Sequence, residues 1–262
     1  MIHHLNCGSF APFVVGPMVT HVLLVERPGG LLLVDSGFGT ADLADPGRLG
    51  RAFRAVMRPR LLEQETALAQ VRALGFAAED VTDIVLTHLD LDHVGGVGDF
   101  PHATVHVHAD ELAAARDPRG MEHGRYLEVQ WRDARFETHQ AAEGEDWFGF
   151  GSVTVLGDDV LLVPLAGHSR GHSIVAVRDP EVADGWVVHA GDAYFHRDDL
   201  VTPPATPRVL RVVQKLLAQD DAVRVANQER LRELVAADHP GLTVFSAHDP
   251  VELARLQDPH QG

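Results

Sequence analysis

The sequence predicts a mixed α/β fold: short buried strands with helices laid over them. Three observations carry this. Short runs rich in Val, Leu and Ile recur between residues 20 and 246, each bounded by Gly, Pro, Asp or His. Segments whose apolar residues keep helical spacing lie between and after them. The chain is 45% hydrophobic with a mean hydropathy of −0.05, enough to bury a full core. Its 262 residues suit one large domain or two small ones. No linker, short repeat or low-complexity segment divides them, so residues 1–262 read as a single domain.

The elements follow in order. His21-Val22-Leu23-Leu24-Val25 and Leu31-Leu32-Leu33-Val34 read as two strands, and Arg27-Pro28-Gly29-Gly30 between them is a hairpin signal. The second strand ends at Asp35-Ser36-Gly37, where the carboxylate either caps a turn or lines a site. Residues 40–66 read as loop and irregular helix. Ala67, Val71 and Leu74 keep helical spacing up to the stop signal Gly75. Ile84-Val85-Leu86 is a short strand. Ala103–His108 alternates as a strand should, which puts His102, His106 and His108 on one face. His106 and His108 mimic a metal pair, but no carboxylate clusters beside them in sequence, so they read as strand residues. Asp110 to Arg116 reads as a capped helix.

Residues 121–150 carry Tyr126, Trp131, Phe136, Trp147, Phe148 and Phe150 in an irregular stretch. They are either ordinary packing or an apolar wall or lid over a pocket. Val153–Leu156 and Val160–Val163 form a hairpin across Gly157-Asp158-Asp159, followed by strands at Ile174–Val177 and Trp186–His189. The spacing of Val209, Val212, Val213, Leu216 and Leu217 predicts an amphipathic helix, and a second runs from about 222 to 237, making 205–238 a helical segment. A last strand, Leu242–Ser246, ends at Ala247-His248-Asp249-Pro250.

Composition excludes several function classes. The formal net charge of −16, with a pI near 5.4, argues against nucleic-acid binding through a general basic surface. No run of about eighteen apolar residues is long enough to span a membrane. Met1-Ile2-His3-His4-Leu5-Asn6-Cys7 has no basic or apolar leader character, so a cytoplasmic location is expected. The one cysteine, Cys7, allows no disulfide and reads as structural.

The chemistry concentrates in Thr87-His88-Leu89-Asp90-Leu91-Asp92-His93-Val94-Gly95-Gly96. Two imidazoles and two carboxylates follow an apolar strand and precede a glycine pair. These are ligands that Zn, Fe, Mn and Co accept. A shuffled chain of this composition would show His-x-Asp-x-Asp-His only about once in a hundred. The same pattern returns along the chain. Asp35, His168, Asp192 and His248 each follow a strand of their own. Strands fix the backbone while loops aim ligands, so repeated capping is a poor explanation.

Taken together, these motifs resemble the metallo-β-lactamase superfamily over Val22 to His248, all five in order. The resemblance implies a four-layer αββα sandwich. Gly167-His168-Ser169-Arg170-Gly171-His172, Gly191-Asp192-Ala193 and His248-Asp249 are most similar to its lactonase-type branch, which includes N-acyl homoserine lactonases. By position, the resemblance implies that His88, Asp90 and His168 hold one metal. It implies that Asp92, His93 and His248 hold a second, bridged to the first by Asp192. Asp35 would orient a ligand by hydrogen bond. Tyr194 would enter the pocket and polarise a substrate carbonyl, or be a buried Tyr with a satisfied hydroxyl. His172 and His189 match no ligand position and read as supporting or core residues.

One residue departs from the usual His-x-His-x-Asp-His pattern: Asp90 stands where a histidine is common. Three ionised aspartates, two divalent ions and one hydroxide sum to zero, where the all-histidine version is +1. A more anionic shell favours harder or more highly charged ions, so zinc is expected with iron or manganese as alternatives. The expected reaction is hydrolysis by a hydroxide activated between two ions, on a lactone or other carboxylic ester, with Asp92 orienting the nucleophile and carrying its proton. Two other readings stand: a di-iron oxidoreductase of flavodiiron type with a separate redox partner, and a non-catalytic metal-binding module. The expected partner is a small-molecule substrate, and the helices of 209–237 offer a surface for a homodimer.

Overall fold

The structure, a computed structural model of the chain, describes residues 1–140 and 145–258. Its strands form two six-stranded sheets, each in chain order. The first comprises β1 (Ile2–Phe10), β2 (Met18–Arg27), β3 (Gly30–Val34), β4 (Val81–Val85), β5 (Thr104–His108) and β6 (Arg135–His139). Strands β1 to β3 pair antiparallel and β3 to β6 pair parallel. The second comprises β7 (Glu145–Trp147), β8 (Phe150–Leu156), β9 (Val160–Pro164), β10 (Ser173–Arg178), β11 (Trp186–His189) and β12 (Leu242–Phe245). It is antiparallel except for the β11–β12 pair. The helices are α1 (Thr40–Ala44), α2 (Arg51–Met57), α3 (Ala67–Ala73), α4 (Ala109–Arg116), α5 (Glu128–Trp131), α6 (Arg208–Leu217), α7 (Asp221–Ala236) and α8 (Pro250–Gln257).

The continuous apolar run of β3 explains the layering. Leu31 and Leu33 face outward onto a cluster that includes Val71 of α3, Leu112 of α4 and Trp131 of α5. Leu32 and Val34 face inward, with Leu23, Val25 and Val85, onto Val160, Leu162, Val175 and Val177 of the second sheet. The outer face of that sheet, through Val163, Ile174 and Val188, packs on Leu231 and Leu234 of α7. A strand buried on both faces must be apolar throughout. The result is the expected helix–sheet–sheet–helix sandwich. Full burial of each such Leu or Val contributes roughly 1.5–3 kcal/mol.

Local signals place the helices. Thr66 Oγ1 accepts from Ala69 N at the start of α3, Asp220 Oδ1 accepts from Val223 N at α7, and Asp249 Oδ1 accepts from Val251 N at α8. The predicted helices at 67–74, 110–116 and 205–238 are present. Strand β1 was not anticipated, because His3, His4, Asn6 and Ser9 interrupt its apolar pattern. Strands β6 and β7 fall in the stretch read as irregular, and α8 follows the last expected strand.

Of the two readings of the 121–150 aromatics, burial supports packing over a pocket wall for five of the six. Tyr126 and Trp131 belong to the core under the first sheet, with Phe136 packed against it. Trp147 and Phe150 belong to the core of the second. Residues 141–144 of that segment, and 259–262 of the expected domain, lie outside the described residues.

Candidate metal centre

The loops that follow β3, β4, β9, β11 and β12 meet at one end of the sandwich. Glycine is required where they nest. A side chain at Gly96 would put its Cβ 2.5 Å from Ser36 O, in the loop after β3. Gly191 has φ +52°, and a Cβ there would meet His172 Nε2 at 2.7 Å. These close approaches bring Asp35, the His88–His93 turn, His168, Asp192 and His248 together.

Three of the four imidazoles are aimed by a bond at the far nitrogen. His93 Nδ1 donates to Asp35 Oδ2 at 2.8 Å. His88 Nδ1 bonds Thr87 Oγ1 at 2.9 Å, and that hydroxyl donates to Asp35 Oδ2 at 2.8 Å. His248 Nδ1 donates to Val19 O at 2.7 Å. In all three rings Nε2 is left facing inward. Asp35 also accepts from Thr87 N at 2.8 Å, which holds it in a left-handed backbone conformation with φ 60°. Burial pushes the Asp35 carboxyl up, but His93 outweighs it and brings the group to about 2. It is therefore held as a charged acceptor beneath the His93 and His88 rings.

The inward atoms fall into two groups. His168 Nε2 lies 3.1 Å from Asp90 Oδ2 and 3.2 Å from Asp192 Oδ2, with His88 Nε2 at 3.5 and 3.8 Å from the same two oxygens. In the second group, His93 Nε2 and His248 Nε2 lie 3.9 and 3.8 Å from Asp92 Oδ2. They are 3.3 and 3.0 Å from Asp192 Oδ1. Asp192 thus turns one oxygen to each group. Nitrogens or oxygens sharing one tetrahedral ion at 2.0–2.1 Å stand about 3.3 Å apart. Within each group the candidate ligand atoms all lie within 4.8 Å of one another.

The fit to metal ions has independent support. His88 Nε2, His93 Nε2 and Asp192 Oδ1 are buried without a hydrogen-bond partner. Leaving such atoms unpaired costs about 1–3 kcal/mol each, and an ion would satisfy them. The electrostatics agree. Burial works against the Asp192 carboxylate, but His248, His93 and His168 hold it well below the usual range. Burial lowers the His93 imidazole, yet the carboxylates of Asp192, Asp35 and Asp92 raise it well above its ordinary value. For Asp92 burial dominates, and its carboxyl is raised.

Two residues that sequence reading missed, the half-buried Arg125 and the buried Glu111, complete the frame. Arg125, in the stretch between α4 and α5, places Nε 3.3 Å from Asp90 Oδ1. It also donates to His168 O at 2.7 Å and to Leu217 O at 2.5 Å. Burial alone would raise the Asp90 carboxyl, but Arg125, His88 and His168 hold it well below the usual range. The guanidinium contributes +1 beside Asp90, so the charge sum of zero becomes +1. Glu111 of α4 accepts from Leu89 N at 3.0 Å, Ser169 Oγ at 2.7 Å and Gly171 N at 3.0 Å. It ties the His88–His93 turn to the loop after β9. Neither residue has a sequence signal, because both reach the centre from other segments.

The expectation that Tyr194 enters the pocket is corrected. Tyr194 is fully buried, and its hydroxyl donates to Glu252 of α8 at 3.1 Å, away from the cavity. His172 and His189 are supporting residues, as expected. His172 Nδ1 donates to Leu165 O at 3.0 Å and its Nε2 accepts from Asp192 N at 2.9 Å. His189 Nε2 donates to His21 O at 2.6 Å.

A cavity of about 520 Å³ opens onto both groups. Asp90, Asp92, His168, Asp192 and His248 line its floor. Val15, Met18, Phe53, Val56, Met57, Phe195, Val213, Leu216 and Leu217 line its walls. The apolar wall therefore comes from α2, α6 and the loop before β2, while the 121–150 segment supplies Glu122, Gly124 and Arg125.

An αββα sandwich with two carboxylate–imidazole groups at its strand ends defines a class, the metallo-β-lactamase-like folds with candidate metal-binding clusters. The chain belongs to the metallo-beta-lactamase superfamily, whose family model matches residues 15–248. It is 44% identical over 260 residues to "Probable metallo-hydrolase Rv2300c" of Mycobacterium tuberculosis, covering 97% of this chain and 82% of that protein. It is 30% identical over 234 residues to "N-acyl homoserine lactonase AttM" of Azorhizobium caulinodans, covering 87% of this chain and 80% of that protein. Among solved structures, an N-acyl homoserine lactone hydrolase with N-hexanoyl-L-homoserine bound superposes with a TM-score of 0.73. That likeness covers 96% of this chain and 94% of the other at 19% identity, and is one of fold. No helix among the described residues is long and apolar enough to cross a membrane.

Proposed function

We propose that this chain is a metal-dependent hydrolase that opens a lactone or another carboxylic ester with an apolar acyl portion. The observation that carries the reading is Asp192, whose two oxygens serve two separate His/Asp groups on the floor of an apolar-walled cavity. His88, Asp90 and His168 would hold one divalent ion, and Asp92, His93 and His248 the other, with Asp192 between. Bound there, two divalent ions lower the pKa of a water molecule to near neutrality and polarise a substrate carbonyl.

The chain's own residues supply the rest. Asp92 lines the cavity, and burial raises its carboxyl. It is the group suited to take a proton from the nucleophile and return it to the leaving alkoxide. Asp35, Thr87, Val19 and Glu111 keep the rings and loops from reorganising as charge develops. Arg125 commits one N–H each to Asp90, His168 O and Leu217 O, which sets its positive charge against the Asp90 carboxylate. Phe53, Met57, Val213 and Leu217 would cover the acyl chain. The relative named as an N-acyl homoserine lactonase supports a lactone with such a chain.

The test is a panel of homoserine lactones, aryl esters, thioesters and phosphodiesters, offered to protein of measured metal content. Lactone or ester turnover that exceeds phosphodiester turnover supports the reading. Phosphodiester hydrolysis alone would replace it.

A further inference from the structure

The free edge of the first sheet carries another group of ligand-type side chains, none of which lines the cavity. In the β5–β6 register, His106 pairs with Glu137 and His108 with His139. Residues two apart on a strand share a face, so these four side chains stand on one side of the sheet. His108 turns to α4, where its Nδ1 accepts from Asp110 N at 3.3 Å. His106 and His139 turn to each other, with His106 Nδ1 and His139 Nε2 3.0 Å apart. On its other side, His106 Nε2 lies 3.0 Å from Asp83 Oδ1 of β4.

The Asp83 carboxylate can only accept, so His106 carries its proton on Nε2 and presents a lone pair on Nδ1. A carboxylate behind an imidazole, fixing its tautomer and raising its basicity, is the arrangement that supports metal-bound histidines. Glu137 offers a carboxylate oxygen within 4.8 Å of a ring nitrogen of each histidine. Two imidazoles on one tetrahedral ion need their nitrogens about 3.3 Å apart, close to the 3.0 Å observed, with the rings turned so that both lone pairs point at the ion. Imidazole with carboxylate suits Zn²⁺, Ni²⁺ and Cu²⁺, and three protein ligands leave a fourth position for water. His106 is buried, whereas Glu137 is exposed and His139 is half-buried, which gives an ion a path from solvent.

We propose that His106, Glu137 and His139 form a separate site for one divalent ion of this borderline class, with Asp83 holding the His106 ring. On binding, His139 would shift its proton from Nε2 to Nδ1, and the two rings would turn so that their lone pairs converge on the ion. The competing account is a hydrogen-bonded relay, Asp83–His106–His139, that closes the sheet edge and binds nothing.

The experiment uses the tag-free, full-length protein saturated with zinc and then desalted. Ni²⁺ is titrated in by calorimetry, with the total bound metal counted by elemental analysis. The parent chain should hold one equivalent more than His139→Ala. Asp83→Ala should keep that equivalent with affinity weakened about 10- to 100-fold. With Cu²⁺ as the probe, electron paramagnetic resonance should show a signal with two coordinating nitrogens in the parent that is absent from His139→Ala. Equal stoichiometry and affinity in parent and His139→Ala would overturn the proposal. Should His139→Ala disturb the sheet edge, Glu137→Gln at the exposed position decides the matter. A weakened extra equivalent supports the site, and an unchanged titration contradicts it.

Discussion

The pairing of Arg125 with Asp90 lends itself to a double-mutant cycle. The guanidinium Nε and the carboxylate Oδ1 are 3.3 Å apart, with side chains only 12% and 15% exposed. At an effective dielectric constant of about 20, that separation gives a gross attraction of about 5 kcal/mol. Part of this offsets desolvation, and removing one partner of a buried pair costs about 3–5 kcal/mol because the other charge is stranded. Arg125→Met strands Asp90. Asp90→His strands Arg125. The double variant restores a net charge equal to that of the parent pair and should recover part of both losses, a coupling of about 2–3 kcal/mol. Arg125→Met also loses the bonds to His168 O and Leu217 O, but that loss appears in both arms and cancels. The assay is urea unfolding of the four proteins with a chelator present, so that bound ions add no charge of their own. Simple additivity of the two single losses would refute the charge-balance argument.

Three further outcomes are expected. Asp35→Asn removes the charge that fixes His93 and, through Thr87, His88, and should weaken metal binding about 10- to 100-fold in a chelator competition with little loss of secondary structure. Burial raises Glu252 from 4.5 to about 7 in the folded chain. A group raised on folding contributes stability that is fully present below about 4.5 and lost as pH rises through about 7, a span of roughly 3 kcal/mol. Glu252→Gln, which can still accept from Tyr194, should flatten that slope in denaturation curves between pH 4.5 and 8. An identical slope in the variant contradicts the assignment. The apolar wall predicts that kcat/KM rises with acyl length by up to about 0.8 kcal/mol of transition-state binding per methylene, until the cavity is filled. Phe53→Ser should reduce that gradient, which a homologous series of substrates measures.

Strand-end chemistry made this chain readable. His88 to His93, His168, Asp192 and His248 each stand just past a run of Val, Leu and Ile, so local patterning located both the fold and the candidate ligands. The structure brings all seven candidate ligand residues together as two groups. What failed was of another kind. Arg125 and Glu111 act on loops that are distant in sequence, and no periodicity marks a residue whose partner is set by packing. His106 looked unsupported because its carboxylates come from the neighbouring strands β4 and β6, not from its own. The aromatics of 121–150 read as core or as wall, with core slightly favoured, and burial distinguished the two. Tyr194 was near Asp192 in sequence, but the turn after β11 sends its hydroxyl to Glu252. Charge counting at Asp90 was sound as far as it went and lacked one half-buried cation.

The most direct test is reconstitution. Protein stripped by a chelator, then returned to stoichiometric divalent metal, is followed by proton release from an N-acyl lactone in a pH-stat. The account predicts no ring opening in the stripped protein, full recovery at two equivalents, and no recovery in folded Asp192→Ala. Undiminished ring opening in the stripped protein would contradict it.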